Sequence, residues 1–254
     1  MPEPGPSFSV SIAATQADLR AAQALRYDVF VRELGGGGAL VDHENGLERD
    51  AFDPFFDHMI VRDDSTGAVV GVYRLLRDDQ ARQAGQFYSE AEYDLTKLRQ
   101  SGRRLLELGR SCLHPDYRGG AAMYHLWTGL ADYVQRHGIE ILFGTASFHG
   151  TDIAALAEPL SMLHHNHLAP PDLRVRAVDG HFQPMDLIAR DRLDRRRAML
   201  AVPALIKAYL RLGGTVGEGA YVDHAFNTTD VCLVMDTARM NDRQKRIYTG
   251  ARAG

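Results

Sequence analysis

The sequence predicts an α/β (α+β) fold in which a mixed, mostly antiparallel sheet is flanked by helices and followed by a C-terminal helical basic extension. Two observations carry this prediction. Residues 59–61 and 69–76 are rich in β-formers and flank an Asp/Ser/Gly turn, which is typical of an antiparallel hairpin. Further along, a strand, a turn, one amphipathic helix and another strand follow in order, which places strands around a central helix. A doubly wound parallel sheet fits this order poorly.

The first elements follow from capping and spacing. Thr15 and Asp18 form a capping box, and apolar residues then recur at helical spacing up to about Glu33. The glycine run 35–38 ends this helix, and a polar segment without clear periodicity continues to Asp57. Because a long loop inside a compact domain is more often functional than idle, this segment is the first place to search for a site.

The later elements alternate between apolar strands and amphipathic helices. We expect strands over 105–113, 139–145, 173–178 and 231–235, and helices over 121–137 and 153–165. The whole is predicted to be one domain over 8–254, including a basic amphipathic insertion at about 190–212 that Pro203 interrupts.

Composition narrows the class of protein. The 254 residues are 45% hydrophobic and carry a net charge of −4, which supports a buried core and argues against nucleic-acid binding. Cys112 and Cys232 lie in apolar stretches without metal-type spacing, so a reducing cytoplasm is expected. No apolar run approaches the ~20 residues that span a bilayer, and residues 1–6 do not resemble a signal peptide. We expect a cytoplasmic protein that is able to lie on the inner face of the membrane.

Two charged motifs interrupt otherwise predictable segments. Glu48, Asp50 and Asp53 fall within six residues of the long loop, where close like charges raise the pKa of one carboxylate and leave it able to accept a proton. A solvated acidic loop is the alternative. Glu107 and Arg110 interrupt an apolar strand and would face opposite sides of it unless Gly109 marks a bulge. For this pair, an ion pair with the first helix is the alternative to catalysis.

A third motif, residues 114–120, joins this strand to the next helix. Backbone N–H groups at the start of a helix bind phosphate, although a simple connection is the alternative. Cys112 has no evident base beside it, which favours inert packing over a nucleophile. The histidines at 164, 165 and 167 lack zinc-site spacing, so local packing or capping is expected and no metal.

The segment 190–211 contains seven basic and two acidic residues, a local charge of +5 in a protein of charge −4. Apolar residues are interleaved with the arginines, as in an interfacial amphipathic segment, and the charge would also attract an acidic carrier protein. A packed helical extension with a solvated basic face is the alternative.

The strand, the Pro-x-Tyr-Arg-Gly turn over 115–119 and the following helix resemble the acyl-donor-binding segment of the GNAT (Gcn5-related) N-acyltransferases. Ala121 and Met123 depart from the usual pattern, which favours the slimmer pantetheine arm of acyl carrier protein over coenzyme A. The resemblance implies a GNAT-like acyltransferase fold without a resident cofactor. The implied donor-binding residues are Ser111, Cys112, Leu113, Arg118, Gly119 and Gly120.

A scattered set of positions resembles the acyl-homoserine lactone synthases, which share this fold and use acyl carrier protein. The matching residues, in order, are Arg26, Phe30, Glu48, Asp50, Asp53, Arg74, Glu107 and Arg110. The aromatic residue that the synthases carry near the glycine run is missing here, which argues against a pocket for S-adenosylmethionine.

The resemblance that covers most of the chain, about 10–240, is to the bacterial ornithine-lipid acyltransferases. The matching segments are ELGRSCLHPDYR, GTASFHGTD, HHNHLAP, and LIKAYLRLG followed by FNTTDVCLVMD. The resemblance implies transfer of a 3-hydroxy fatty acyl group from acyl carrier protein to the α-amino group of ornithine, which gives lyso-ornithine lipid.

Amide formation from a thioester needs a neutral amine and a stabilised oxyanion. Glu107 is the leading base and Glu48 the second, because both match acidic positions of the related synthases. Asp50 and Asp53 would hold the cationic groups of the amino acid, Phe30 would lie in the same site, and Arg26, Arg74 or Arg110 would bind the amino acid's carboxylate. Three alternatives stay open: another acceptor such as glutamine or glycine, a signal synthase, and a membrane-surface binding module without enzymatic activity.

Overall fold

The computed structural model describes residues 7–38 and 40–241. The expectation about residues 1–6 and the last part of the predicted domain, 242–254, lie outside the described residues. The described chain divides into two compact units, one formed by 7–38, 40–85 and 108–138, and the other by 86–107 and 139–241. The single domain over 8–254 stays a prediction.

The elements of the described residues alternate between strands and helices. The strands are β1 (Phe8–Ile12), β2 (Asp57–Asp63), β3 (Val69–Arg77), β4 (Tyr93–Asp94), β5 (Leu105–Leu113), β6 (Ile141–His149), β7 (Arg176–Ala177), β8 (Phe182–Gln183), β9 (Thr215–Val216), β10 (Ala220–Asp223) and β11 (Thr228–Asp236). The α-helices are α1 (Gln16–Arg26), α2 (Asp78–Ala84), α3 (Thr96–Gln100), α4 (Ala121–His137), α5 (Ile153–His167), α6 (Arg195–Ala201) and α7 (Ala204–Arg211). The predicted hairpin, strand β5 and helix α4 are confirmed, and so is the fold class.

The first unit is built on the antiparallel strands β1, β2 and β3, with the second half of β5 beside β3. Helix α1 packs on β3, and the N-cap and capping box predicted for Thr15 and Asp18 are both present. Its buried face shares a core cluster with Ile60, Val72 and Cys112. Helix α4 packs on β1, where a Cβ atom at Gly129 would come within 2.6 Å of Val10 Cγ1. This close approach explains a glycine inside a helix.

The first helix does not continue in α-helical form to Glu33, as the sequence pattern indicated. It becomes a π-helix over Tyr27–Glu33, and Leu34 N–H then donates to Val29 O at 3.1 Å. A π-helical turn shifts the side chains that follow it around the helix axis, and such turns are frequent at functional sites. Here the change of geometry begins directly after Arg26 and carries Phe30.

The second unit is built around β6 and β11, which pair antiparallel along nine residues. Residues 105–107 of β5 pair in parallel with 141–143 of β6, while β10 and β9 pair with β11 and β8 pairs with β10. The core includes Phe87, which meets Phe143 edge to face at a centroid distance of 5.0 Å. The sheet is therefore mixed and mostly antiparallel, as predicted.

Several short elements differ from the sequence prediction. Only Arg176–Ala177 of the strand expected over 173–178 is a strand, and the bonds that Glu218 makes to Val175 O at 2.8 Å and Ala177 N–H at 3.0 Å form an isolated parallel bridge. Strand β1 and the short strands β8, β9 and β10 were not predicted. The basic insertion consists of α6 and α7, which Pro203 separates as expected. No helix among the described residues is long and apolar enough to cross a bilayer.

Candidate active site

Arg26 is fully buried at the end of α1 and binds two carboxylates of the long loop. Its Nε atom donates to Glu48 Oε2, and its terminal nitrogens donate to Asp53 Oδ1 at 2.8 Å and Oδ2 at 3.1 Å. A further bond of 2.7 Å reaches the backbone carbonyl of Glu48. Because a buried guanidinium is stable only when it is paired, these bonds fix the loop against α1.

Arg74 joins a third carboxylate to the same site. From β3, its Nη1 atom donates to Asp50 Oδ2 at 2.7 Å and to Asp53 Oδ1 at 2.8 Å. The guanidinium carbon lies 4.3 Å from the ring centroid of Phe56, a cation–π distance. Asp53 is therefore shared between Arg26 and Arg74.

Arg110 completes the group from β5. Its Nε atom donates to Glu48 Oε1 at 3.1 Å, and its guanidinium carbon lies 5.6 Å from the centroid of the Phe30 ring. Arg110 has a φ of 50°, a left-handed conformation that is uncommon for a residue other than glycine. The sequence left open a bulge at Gly109, and the structure has its backbone irregularity one residue later, at Arg110.

These six residues form what we call the ion cluster: Arg26, Glu48, Asp50, Asp53, Arg74 and Arg110. Three guanidinium groups face three carboxylates, so its formal charges balance. All six belong to the first unit, and Phe30 contacts the cluster through Arg110. The sequence predicted each of them as a site residue, and the structure brings them together.

The arginines of the ion cluster keep Glu48 and Asp53 ionised. Burial alone would raise the pKa of Glu48, but the charges of Arg110, Arg26 and Arg74 outweigh it and lower that pKa. Burial likewise opposes the ionisation of Asp53, yet Arg26 and then Arg74 lower its pKa to about 2. A carboxylate with so low a pKa is a weak base, so Asp53 is suited to holding positive charge.

His58 lies beside the ion cluster and was not predicted from the sequence. Its Nε2 atom donates to the backbone carbonyl of Asp53 at 3.0 Å, and its Nδ1 atom lies 3.5 Å from Nη1 of Arg26. Burial lowers the pKa of His58, with Arg26 and Arg74 adding to this against the charge of Asp53. The neutral imidazole thus accepts from Arg26 and donates to the loop. The signal that could have revealed His58 in the sequence is a histidine at the start of a buried strand.

A cavity of about 650 Å³ opens beside the ion cluster and includes Asp50 in its wall. Its volume lies in the usual range for small-molecule sites. Asp50 is tied to the loop through Oδ1, which accepts from the backbone N–H groups of Phe52 and Asp53, and to Arg74 through Oδ2. The lining residues are Leu40, Val41, Asp42, His43, Glu44, Arg49 and Asp50.

Glu107 belongs to the second unit and is 1% exposed. Its Oε2 atom accepts a bond of 2.7 Å from Tyr88 N–H, and Oε1 accepts one of 2.7 Å from Ser89 N–H. The Ser89 hydroxyl also donates to Oε1. The 3₁₀ turn Tyr88–Ala91 therefore orients the carboxylate. Sequence reasoning missed Ser89, since nothing in its surroundings marked it.

The predicted donor-binding segment runs from the end of β5 to the start of α4. Arg118 donates to both carboxylate oxygens of Glu33 at 2.6 Å and to the Leu113 carbonyl at 3.2 Å. Gly119 has a φ of 76°, and Gly120 is the N-cap residue of α4. This geometry orients the backbone N–H groups at the start of the helix.

The two residues before Leu113 differ in exposure. Cys112 is buried in the apolar core of the first unit, and burial raises its pKa to about 12. The thiol is therefore protonated at neutral pH, which favours packing over nucleophilic attack. Ser111 is half-buried.

Comparison with known proteins defines the class. The family model described as "Acetyltransferase (GNAT) domain" matches residues 25–128. Among solved structures, FeeM, an N-acyl amino acid synthase from uncultured soil microbes, superposes with a TM-score of 0.54 at 12% identity, covering 92% of this chain and 93% of that one. The AHL synthase LasI gives 0.51 at 15% identity, covering 98% of each chain. The chain therefore contains a GNAT acetyltransferase domain and shares its fold with these synthases.

The family within that class follows from curated relatives. A protein of Rhodobacter capsulatus named L-ornithine N(alpha)-acyltransferase is 61% identical over 248 residues, which are 96% of this chain and 95% of the relative. One of Brucella abortus with the same name is 42% identical over 97% of this chain and 90% of its own length. The chain belongs to the L-ornithine N(alpha)-acyltransferase family. The alternative of a binding module without enzymatic activity is therefore wrong.

Proposed function

We propose that this enzyme transfers a 3-hydroxy fatty acyl group from acyl carrier protein to the α-amino group of L-ornithine and so makes lyso-ornithine lipid. The observation that carries the proposal is the 61% identity, over nearly the full length, to a relative named for ornithine acylation. The fold adds support, since FeeM is described as an N-acyl amino acid synthase.

The reaction joins the amine nitrogen to the thioester carbonyl and breaks the carbon–sulfur bond. The α-ammonium group first loses a proton to a base, and the pantetheine thiolate that leaves takes up a proton. We assign Glu107 as the base, directly or through one water molecule, because Tyr88 and Ser89 hold its buried carboxylate in one orientation. Glu48 ranks second, since three arginines lower its pKa and so weaken it as a base.

The ion cluster supplies the charges that an amino acid acceptor requires. Asp50 lines the cavity and is the carboxylate we assign to a cationic group of ornithine, while Asp53 supports this role by holding Arg26 and Arg74. Arg110, whose side chain is 26% exposed, is the arginine we assign to the ornithine carboxylate. The bidentate geometry of a guanidinium suits that group.

The donor assignment rests on the segment before α4. Ala121 and Met123 depart from the pattern that resembles coenzyme A binding, and Arg118 is already paired with Glu33. Both features favour a pantetheine arm carried by a protein over the phosphates of coenzyme A. No resident cofactor or metal enters the proposed reaction.

Lipid mass spectrometry of a heterologous bacterial host tests the function and the base together. Expression of this chain should produce N-(3-hydroxyacyl)ornithine, and Glu107→Gln should abolish it. The matched control is Glu140→Gln, which makes the same change at an exposed position of the second unit. Acylated glutamine or glycine in place of ornithine would reject the acceptor, and full activity of folded Glu107→Gln would reject the base.

Purified enzyme separates the acceptor from the donor. Initial rates with ornithine, lysine, glutamine and glycine should be highest for ornithine, and a 3-hydroxyacyl carrier protein should be used in preference to the matching coenzyme A thioester. Equal use of both thioesters would reject the donor assignment. Formation of a lactone from S-adenosylmethionine would favour a signal synthase instead.

A further inference from the structure

Helix α6 and the residues before it form a cationic surface on the second unit. Arg192, Arg195 and Arg196 are exposed, and within the part of the chain that the structure describes their side chains make no ion pair or hydrogen bond. Other basic residues of the segment do contact the protein: Arg197 pairs with Glu158 at 2.7 Å, and Lys207 donates to the Leu200 carbonyl at 3.0 Å.

The position of these arginines does not stabilise the helix. Arg195 and Arg196 stand in the first turn of α6, where the helix dipole disfavours positive charge. Asp194 already caps this turn by accepting from the N–H groups of Arg196 and Arg197, both at 3.0 Å. Arg195 and Arg196 therefore oppose the helix dipole, and within the described residues no ion pair or hydrogen bond of their side chains offsets this electrostatic cost.

Leu200 stands among these arginines and is 73% exposed, although it is a large apolar residue. At about 100° per residue, Arg196 and Leu200 are neighbours on the face of α6 opposite Ala198, which is 0% exposed. Arg195 and Met199 form a second such pair beside them. We call Arg192, Arg195, Arg196 and Leu200 the cationic patch.

We propose that the cationic patch docks on an anionic phospholipid surface, with the arginines at the lipid phosphates and Leu200 inserted among the acyl chains. Charge complementarity supplies the attraction, at about a five-fold gain in binding for each arginine near the surface. The inference deepens the proposed function, because it says where an enzyme with an amphiphilic product works. Binding itself needs no turnover, so its test stands apart from catalysis.

Leu200 decides between a bilayer and an acidic carrier protein as the occupant. Arginines suit either one. A bilayer interface accepts a single protruding apolar side chain anywhere along its surface, whereas a folded protein must offer a matching pocket. A bilayer also requires no fixed distance between Leu200 and the site of acyl transfer.

Vesicle flotation of the purified full-length chain tests the proposal. Vesicles of phosphatidylcholine with about 30 mol% phosphatidylglycerol should carry the protein up the gradient, and pure phosphatidylcholine should not. The triple variant Arg192→Glu, Arg195→Glu, Arg196→Glu should bind the anionic vesicles roughly 100-fold more weakly. Leu200→Gln, which keeps the charge, should lose roughly ten-fold.

A charge-matched control separates the patch from overall charge. Arg82→Glu, Lys97→Glu and Arg136→Glu together change the net charge equally at exposed positions elsewhere, and this variant should bind like the parent. Leu200→Trp should show a blue-shifted emission that lipids with brominated chains quench.

Three outcomes would overturn the proposal. These are equal binding to neutral and anionic vesicles, equal loss in the control variant, and a patch variant that loses binding of purified acyl carrier protein while keeping vesicle binding. Acyl transfer by the patch variant in vesicle-free solution should match the parent, which distinguishes failure of the docking proposal from failure of the proposed function.

Discussion

Asp53 has the most demanding position of the carboxylates in the ion cluster. It accepts from Arg26, from Arg74 and from Gln23 Nε2, the last at 2.9 Å, and is 5% exposed. Its low pKa follows from the arginines, and its ionised form in turn keeps two buried guanidinium groups paired. The sequence predicted Asp53 as a substrate-binding residue, but in the structure its charge pairs with Arg26 and Arg74 of the protein itself.

Asp53→Asn should therefore destabilise the protein in a pH-dependent way. The folded pKa is about 2 against an ordinary 3.8, so ionised Asp53 contributes about 2 kcal/mol that is fully present above about pH 4 and is lost as the pH falls towards 2. At neutral pH the variant should lose about 3 kcal/mol or more, because two guanidinium groups lose a charged partner. Urea unfolding at several pH values should show this deficit shrinking below about pH 4.

Asp116→Asn is the control for this experiment, since its side chain is 83% exposed and its carboxylate lies 3.7 Å from His114. It should change the unfolding free energy by less than about 0.5 kcal/mol at every pH. A deficit of Asp53→Asn that stays constant down to about pH 2 would contradict the role of the Asp53 charge.

Ser89, which sequence reasoning missed, donates to the Glu107 carboxylate from both its N–H group and its hydroxyl. If Glu107 is the base, as proposed, Ser89→Ala removes one of its donors and leaves the backbone donors in place. The kcat for ornithine acylation should fall roughly ten-fold, while KM for ornithine changes less than about two-fold, because a reoriented base slows chemistry without weakening binding.

Ser101→Ala is the matched control, because it removes a hydroxyl at the end of α3 that donates to the Leu98 carbonyl at 2.6 Å and accepts from Arg103 N–H at 3.3 Å. Steady-state kinetics of the three proteins, after their melting temperatures have been compared, provide the measurement. An unchanged kcat in folded Ser89→Ala would remove Ser89 from the positioning of Glu107.

At the scale of elements, hydrophobic periodicity predicted the long helices and strands and missed the short ones. Strand β3 and helix α4 have enough residues for an apolar face to repeat, and both were predicted. Strands β8 and β9 have two residues each, which is less than one repeat of any pattern. The π-helix was missed for another reason, since its apolar spacing at Val29 resembles that of an α-helix and only the backbone bonds differ.

The end of the π-helix offers a sharp test of that element. Gly36 N–H donates to the Phe30 carbonyl at 2.8 Å, and a Cβ atom at Gly36 would lie 2.7 Å from that oxygen. Gly36→Ala should therefore cost about 1–3 kcal/mol and lower kcat/KM, because the backbone at Phe30 must move. Gly37→Ala meets no atom within 4 Å and is the control, with no loss beyond about 0.5 kcal/mol.

Thermal unfolding and acylation rates of both variants provide the measurement. Because the two glycines are adjacent, they share the same loop and differ in the space around the missing Cβ atom. Equal behaviour of Gly36→Ala and Gly37→Ala would show that the approach to Phe30 does not constrain this loop.

At the scale of the whole molecule, charge is divided between two kinds of environment. The ion cluster of the first unit is mostly buried and its charges balance, whereas the cationic patch of the second unit is exposed and lies in the segment of local charge +5. Spacing and local charge marked the acidic loop, Arg110 and the basic segment, whereas Arg26 and Arg74 were predicted through the resemblance to the acyl-homoserine lactone synthases. The sequence could not tell paired from unpaired arginines, since Glu158 and Glu33, the partners of Arg197 and Arg118, lie far away along the chain.

Ionic strength should act on these two sets of charges differently. Raising the salt from about 50 mM to about 500 mM shortens the Debye length to a few ångströms, which screens the patch from a lipid surface but reaches buried pairs much less. Binding to anionic vesicles should fall more than about ten-fold, while the KM for ornithine in vesicle-free solution changes less than about two-fold. Flotation and initial rates measured in the same buffers provide the comparison. If KM rose in step with the loss of vesicle binding, the acceptor site would depend on solvent-exposed charges, and the assignment of ornithine to groups held by the ion cluster would be wrong.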